Sequence, residues 1–230
     1  MKIIKSYIKK RLKILNRLDF YKKDILSILT FTEIKLSEFF KEGLFFSCEK
    51  CGECCKGYSN GEVYIYEEDI EKLVEHLGKK GNQYTLRSFA KKHLKLIRTS
   101  FYWKENGVDR GKNYSFYTLG FKFIGSDEHC EFIDKNNLCT VHKDRPFQCR
   151  AYPIGWNMLI NNMRNFRKYS KDCPALKNSL KKKGKFYSSK EIIEWAKQEY
   201  EIEKKFFLQM KKNNFNIFKT YKFLPKDISK

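Results

Sequence analysis

The 230-residue sequence predicts an α+β domain, mostly helical with a few short strands, organised around a cysteine-bound metal centre. Three observations carry that expectation. Cys48, Cys51, Cys54 and Cys55 crowd into eight residues; packing gives no reason to gather four small oxidisable side chains there, whereas a soft cation gives a direct one. Cys130, Cys139, Cys149 and Cys173 supply four further thiols downstream. Around both groups run stretches with apolar residues at helical spacing, interrupted by short aromatic and β-branched segments.

Taken in order, Ile4, Ile8, Leu12, Leu15 and Leu18 alternate with lysines and arginines and read as a basic amphipathic helix over 2–19. Ile25, Leu29, Leu36, Phe39 and Phe40 continue as a second helix over 22–42, which Gly43 ends. These make 1–45 an N-terminal pair of basic helices. The cysteine-cluster domain, 46–174, opens on the first four cysteines. Residues 62–66 are rich in strand formers and feed a helix whose Ile70, Leu73, Val74 and Leu77 share a face. Residues 84–98 read as helix again through Leu86, Phe89, Ala90, Leu94 and Ile97, and the aromatic, glycine-punctuated stretch 100–124 as irregular strands over 114–119 and 121–124. Cys130 and Cys139 sit on two short arms around Asn136-Asn137, a turn because Asn tolerates left-handed backbone. Pro146 and Pro153 leave room for one helical turn carrying Cys149. Residues 154–170 read as a strand pair. A C-terminal helical extension, 175–230, packs on the domain; its helix starts at a Ser188 or Ser189 cap and shows Ile192, Ile193, Trp195, Ala196 and Tyr200 in period. From 211 on the pattern is weak and the tail is expected to fray.

The two-residue gaps between Cys48 and Cys51 and between Cys51 and Cys54 let a tight turn aim two sulfurs at one ion about 2.3 Å away, and Gly52 supplies the positive φ such a turn needs. Adjacent Cys54 and Cys55 are expected to project apart, toward different metals or irons, or with one of them behind the ligands. All eight cysteines are candidate ligands, for two four-cysteine zinc sites or for one [4Fe–4S] cubane and a zinc. Three cysteines at these gaps with a remote Cys173-Pro174 echo the bacterial ferredoxin pattern, in which the last ligand precedes proline. Arg145 and Arg150 stand near Cys149, where guanidinium groups offset the charge of a four-thiolate site. His129 and His142 flank the second group and can replace a thiolate, although cysteines suffice and a surface or hydrogen-bonding role is simpler. His76 and His93 read as ordinary helix residues, and Asp69 as an acid favoured at a helix start by the dipole.

Phe46-Ser-Cys-x-x-Cys-Gly-x-Cys-Cys55, the strand and Asp69-Ile70 helix after it, Cys130-x8-Cys139 and Arg145-Pro-x-x-Cys149-Arg-x-Tyr-Pro153 lie in that order. Together they resemble, over 46–174, the CxxCxxCC family of zinc- or iron-chelating proteins, also called cysteine cluster proteins. The resemblance implies a zinc, iron or iron–sulfur centre held by these cysteines and no particular reaction. A related signature in flagellin lysine methylases adds an iron–sulfur-dependent protein-modifying enzyme as an alternative.

The formal charge of +21 offers a surface to nucleic acid, anionic lipid or an acidic partner. Arg164, Phe166, Arg167 and Tyr169 interleave cation and aromatic as a single-strand binder would, so a zinc-stabilised RNA-binding module is a further alternative. Against this, Lys, Asn, Ile, Phe and Tyr are abundant throughout, a bias that an AT-rich coding sequence produces unaided. No Walker loop, dinucleotide GxGxxG or HExxH occurs. No run reaches membrane-spanning length and the basic N-terminus lacks the apolar core of a signal peptide. A reducing cytoplasm, which keeps thiols free for metal, is the expected setting.

Overall fold

The computed structural model describes residues 36–56, 62–105, 107–125 and 128–229. The basic helix expected over 2–19, and the part of the second helix up to 35, lie outside them. The rest of that second segment forms only a 3₁₀ turn, Glu38–Phe40, which stops where Gly43 adopts φ +101° and donates its N–H back to Phe40.

The chain divides into two compact units. Among the described residues, the first is the outer part of a β-hairpin, 100–115, where Trp103 Nε1 and the Tyr114 hydroxyl both donate to the Glu105 carboxylate at 3.2 Å. The second unit contains all eight cysteines.

In that second unit, β1 (Leu44–Phe46) pairs antiparallel with β7 (Lys185–Tyr187), with Phe45 opposite Phe186. β2 (Tyr64–Ile65) leads into α1 (Glu67–Gly78), whose buried Ile70 and Leu73 face inward as the 3.6 period requires. α2 (Leu86–His93) begins at a Thr85 cap, and the chain then turns into β3 (Leu94–Trp103), of which 94–99 belong to this unit, as do 116–121 of β4 (Lys112–Phe121). These form a three-stranded sheet in the order β2-β4-β3. β5 (Phe123–Ile124) pairs with β6 (His129–Cys130). Five helices come next: α3 (Phe147–Ala151), α4 (Asn157–Ile160), α5 (Met163–Ser170), α6 (Pro174–Ser179) and the long α7 (Ser189–Lys212); a last turn, α8 (Ile217–Thr220), lies near the end. The architecture is α+β, with helices predominating over small sheets. No described helix is long and apolar enough to cross a membrane.

Three expectations are corrected. The helix over 84–98 stops at His93, because Leu94 already takes extended backbone and opens a run rich in β-branched and aromatic residues. The strand pair over 154–170 is two helices, and Asn162 separates them by accepting from the Arg164 N–H at 3.0 Å. The tail does not fray: Ile217, Tyr221, Leu224 and Ile228 are buried, and the Ser229 carbonyl accepts from the Leu96 N–H at 2.7 Å.

Among the described residues, aromatic rings make up more than a third of the buried apolar ones. Phe116 packs on Phe206 and Phe207 of α7, and Phe206 stacks on Tyr221. Phe89 and Phe132 flank His93 on another side, with Phe121 edge-to-face on Phe132. Such T-shaped and offset contacts are favoured by the ring quadrupole and fix side chains more narrowly than aliphatic packing does.

Candidate metal centre

The cysteine loop leaves β1 at Phe46, and local geometry shapes it for sulfur. Lys50 and Gly52 take φ +56° and +79°, which folds the chain back so that the Lys50 N–H points at the Cys48 sulfur, 3.4 Å away. Gly52 starts a 3₁₀ turn, Glu53–Cys55, and a Cβ there would stand 3.1 Å from that of Asn137. That close approach seats the loop on the tip of the downstream hairpin. Lys56, at the other end of the loop, bridges to His129 beside Cys130.

The hairpin arms present the next two thiols. Asp134 Oδ1 accepts from the Asn136 and Leu138 N–H groups at 2.8 and 2.9 Å, and Asn137 takes φ +60°. This is the turn expected of Asn136-Asn137, and it closes an Ile133–Cys139 bridge. Cys149 rides on α3, the single helical turn between Pro146 and Pro153. Cys173 is the residue before Pro174, at the start of α6.

Cys48, Cys54, Cys55, Cys130, Cys139 and Cys149 line one cavity of about 290 Å³, whose other walls are mostly apolar, among them Val63, Phe121, Phe132, Leu138 and Trp156. Cys51 and Cys173 are outside its lining, although Cys173 is close enough to Cys51 and Cys54 for their thiolates to repel. Cys54 and Cys55 do not project apart as expected: their sulfurs stand 3.9 Å from each other and face the same space, because the 3₁₀ turn after Gly52 rotates both inward.

Burial dominates the electrostatics. It pushes the Cys130 thiol up to about 12 and raises Cys139, Cys149 and Cys173 as well. Cys54 is held well above the ordinary thiol range first by its contact with Cys55 and then by burial; the residue is exposed, yet its sulfur is enclosed. Cys54, Cys130, Cys139 and Cys149 form a complete set in which every pair is close enough for one thiolate to raise the other. Arg145, in the cavity wall, pulls Cys54, Cys139 and Cys149 back down. A cation would act in the same sense and more strongly, so neutral, crowded thiols in an apolar pocket are the donor chemistry that a thiophilic metal converts to thiolate. The residues therefore fit a zinc or iron centre. Among the described residues no three His, Cys, Asp or Glu side chains converge as tightly as a single ion requires.

The neighbouring candidates sort differently. Arg150 lies outside the cavity lining; its Nε donates to the Arg145 carbonyl at 3.0 Å and its guanidinium lies over the Phe147 ring. His142 lines the cavity mouth, where burial and Arg145 both hold it below the ordinary imidazole range. Phe166 and Tyr169 point into the core, against Phe40 and Trp156, so the rings of the expected stacking platform are buried while Arg164 and Arg167 are exposed. Three features escaped sequence reasoning. His93 is buried 2.6 Å from Glu131, beside Cys130. Tyr152 places a buried hydroxyl in the cavity wall, within hydrogen-bonding reach of the Cys173 thiol. Asp69 is buried and bonded to the α3 backbone. Only the RPxxC turn hinted at the last, since a helix start wedged after proline leaves an N–H to be satisfied.

A family model described as CxxCxxCC, putative zinc- or iron-chelating domain, covers residues 47–214 and so runs past Cys173 through α7. No curated protein and no solved structure matches the chain.

Proposed function

The chain belongs to the CxxCxxCC family of zinc- or iron-chelating domains, and we propose that Cys54, Cys130, Cys139 and Cys149 hold its metal as an iron–sulfur cluster. The observation that carries this reading is convergence: four thiols from the loop, both hairpin arms and α3 face one apolar cavity and lie within mutual electrostatic reach. A zinc ion draws four sulfurs to about 2.3 Å from one point. The cavity of about 290 Å³ among these thiols leaves room for a cluster bound through one cysteine per iron. Such a cluster supplies one-electron chemistry when bound, and the apolar wall and Arg145 are the groups of this chain that would set its potential. Cys51 and Cys173, near Cys54, make a second thiol pair beside the first set. Eight free thiols suit a reducing compartment such as the cytoplasm.

Anaerobic purification, elemental analysis and an absorption spectrum test the reading. A brown protein with iron and sulfide, whose colour is lost in Cys149→Ser and kept in Cys48→Ser, supports it. A colourless protein carrying zinc overturns the cluster, and colour that survives Cys149→Ser overturns the ligand set.

A further inference from the structure

Helix α1 contributes no cysteine, yet both of its ends grip the segment that carries Cys149 and Arg145. Asp69, in its first turn, is 5% exposed. One carboxylate oxygen accepts from the Tyr66 N–H at 3.4 Å, which is ordinary service to the start of its own helix. The other accepts at 3.0 Å from the N–H of Phe147, 78 residues away in sequence. Phe147 opens α3, so this N–H has no partner within the helix, and Cys149 follows two residues later. Two turns along α1, His76 Nδ1 stands 2.6 Å from Asp144 Oδ2, immediately before Arg145. Capping α1 needs neither contact. Desolvating a carboxylate is costly unless its hydrogen bonds repay it, which argues that the second bond is what the buried position serves.

We propose that α1 is a splint for the metal centre, with Asp69 as the residue that positions Cys149 and His76 as the one that holds Asp144 away from Arg145. The proposal rests on the four-thiolate reading above. It divides the site between two kinds of residue: thiols that touch metal, and a helix that fixes where one of those thiols stands before metal arrives. Outer partners of this kind typically change metal affinity about 10–100-fold when removed.

The test uses the full chain, reduced and metal-free, titrated with Co(II) alone and followed by the thiolate-to-cobalt absorption band, with the melting temperature read in parallel. Asp69→Ala is expected to weaken Co(II) about 10–100-fold, as is Cys149→Ser, and the double variant to bind no more weakly than the worse single one, since both act through one sulfur. If Cys149→Ser weakens binding while Asp69→Ala lowers only the melting temperature and leaves Co(II) affinity within about twofold, the splint is wrong and the ligand set stands. If Cys149→Ser itself leaves binding unchanged, the four-thiolate reading fails and the proposal goes with it. Should Asp69→Ala not fold, Asp69→Asn replaces the charge-assisted bond to Phe147 with a neutral one about half as strong. Graded weakening of Co(II) in that variant supports the splint, and wild-type affinity at a lowered melting temperature overturns it.

Discussion

Asp144 pairs with His76 across 68 residues of sequence, at 2.6 Å, and not with its neighbour Arg145. A carboxylate accepts only, so the imidazole Nδ1 carries the hydrogen of this contact. Arg145 in turn spends its Nε on the His142 carbonyl at 3.1 Å. Its charge is thereby directed at thiols and is not cancelled by the acid beside it.

Arg145→Met should therefore make metal loading need higher pH. Arg145 lowers the pKa of Cys54, Cys139 and Cys149; without it those thiols hold their protons to higher pH, and protons compete with metal for the same sulfurs. The midpoint of Co(II) loading against pH is expected to rise by roughly 0.5–1 unit, at the low end for a partly exposed charge. A midpoint that stays or falls would show that the guanidinium does not act on these sulfurs.

In the metal-free reduced chain, alkylation should follow enclosure. Cys48 is exposed and should react first. Cys130, with a thiol at about 12, holds on the order of one thiolate in ten thousand at pH 8, and enclosed Cys149, also raised by burial, should be slow too. Peptide mass mapping against time gives the order directly, and metal should suppress the whole cavity set together.

Chelation should loosen the site and spare the core. Amides over 48–56 and 129–149 should lose hydrogen-exchange protection, because turns and isolated bridges hold them and metal would tie them together. The centre of α7 should stay protected, since buried Phe206, Phe207 and Met210 hold it independently of sulfur. Uniform loss across both regions would mean that folding and metal binding are a single event.

The segment beyond Cys173 should carry much of the stability. Phe207→Ala removes a ring that is 0% exposed and should cost about 3–5 kcal/mol, lowering the melting temperature by roughly 10 °C. Ser188→Ala removes a reciprocal cap, in which Ser188 Oγ accepts from the Glu191 N–H at 3.3 Å and Glu191 accepts from the Ser188 N–H at 2.8 Å. That loss should cost about 1 kcal/mol. Thermal melts of the two variants check both values.

Where local chemistry decides backbone, the sequence was readable: the Asn136-Asn137 turn, the proline-bounded turn of α3 and the Ser188 cap lie where residue type places them. Ambiguity entered where one pattern fits two periods. Leu94 and Ile97 satisfy a helix as well as the edge of β3, so spacing alone could not end α2 at His93. Long-range contacts were illegible. The tail is held by Tyr221 stacked on Phe206 and by a hydrogen bond between Leu96 and Ser229, neither of which leaves a periodic trace. In the candidate site, the residue types were legible and the grouping was not. That Cys54 lies within electrostatic reach of Cys130, Cys139 and Cys149, and Cys51 within reach of Cys173, depends on the positive φ of Gly52 and on how the loop lies over the hairpin.

Trp156 stands in the wall of the thiol cavity, its indole N–H donating to the Gln148 carbonyl at 3.1 Å and its ring edge-on to Tyr152. The protein therefore contains its own optical gauge. Visible-absorbing iron at that wall would drain the indole's excited state, while colourless zinc would leave it bright. Comparison with Trp156→Phe separates this signal from Trp103 and Trp195, so one emission spectrum reports which metal has entered and when.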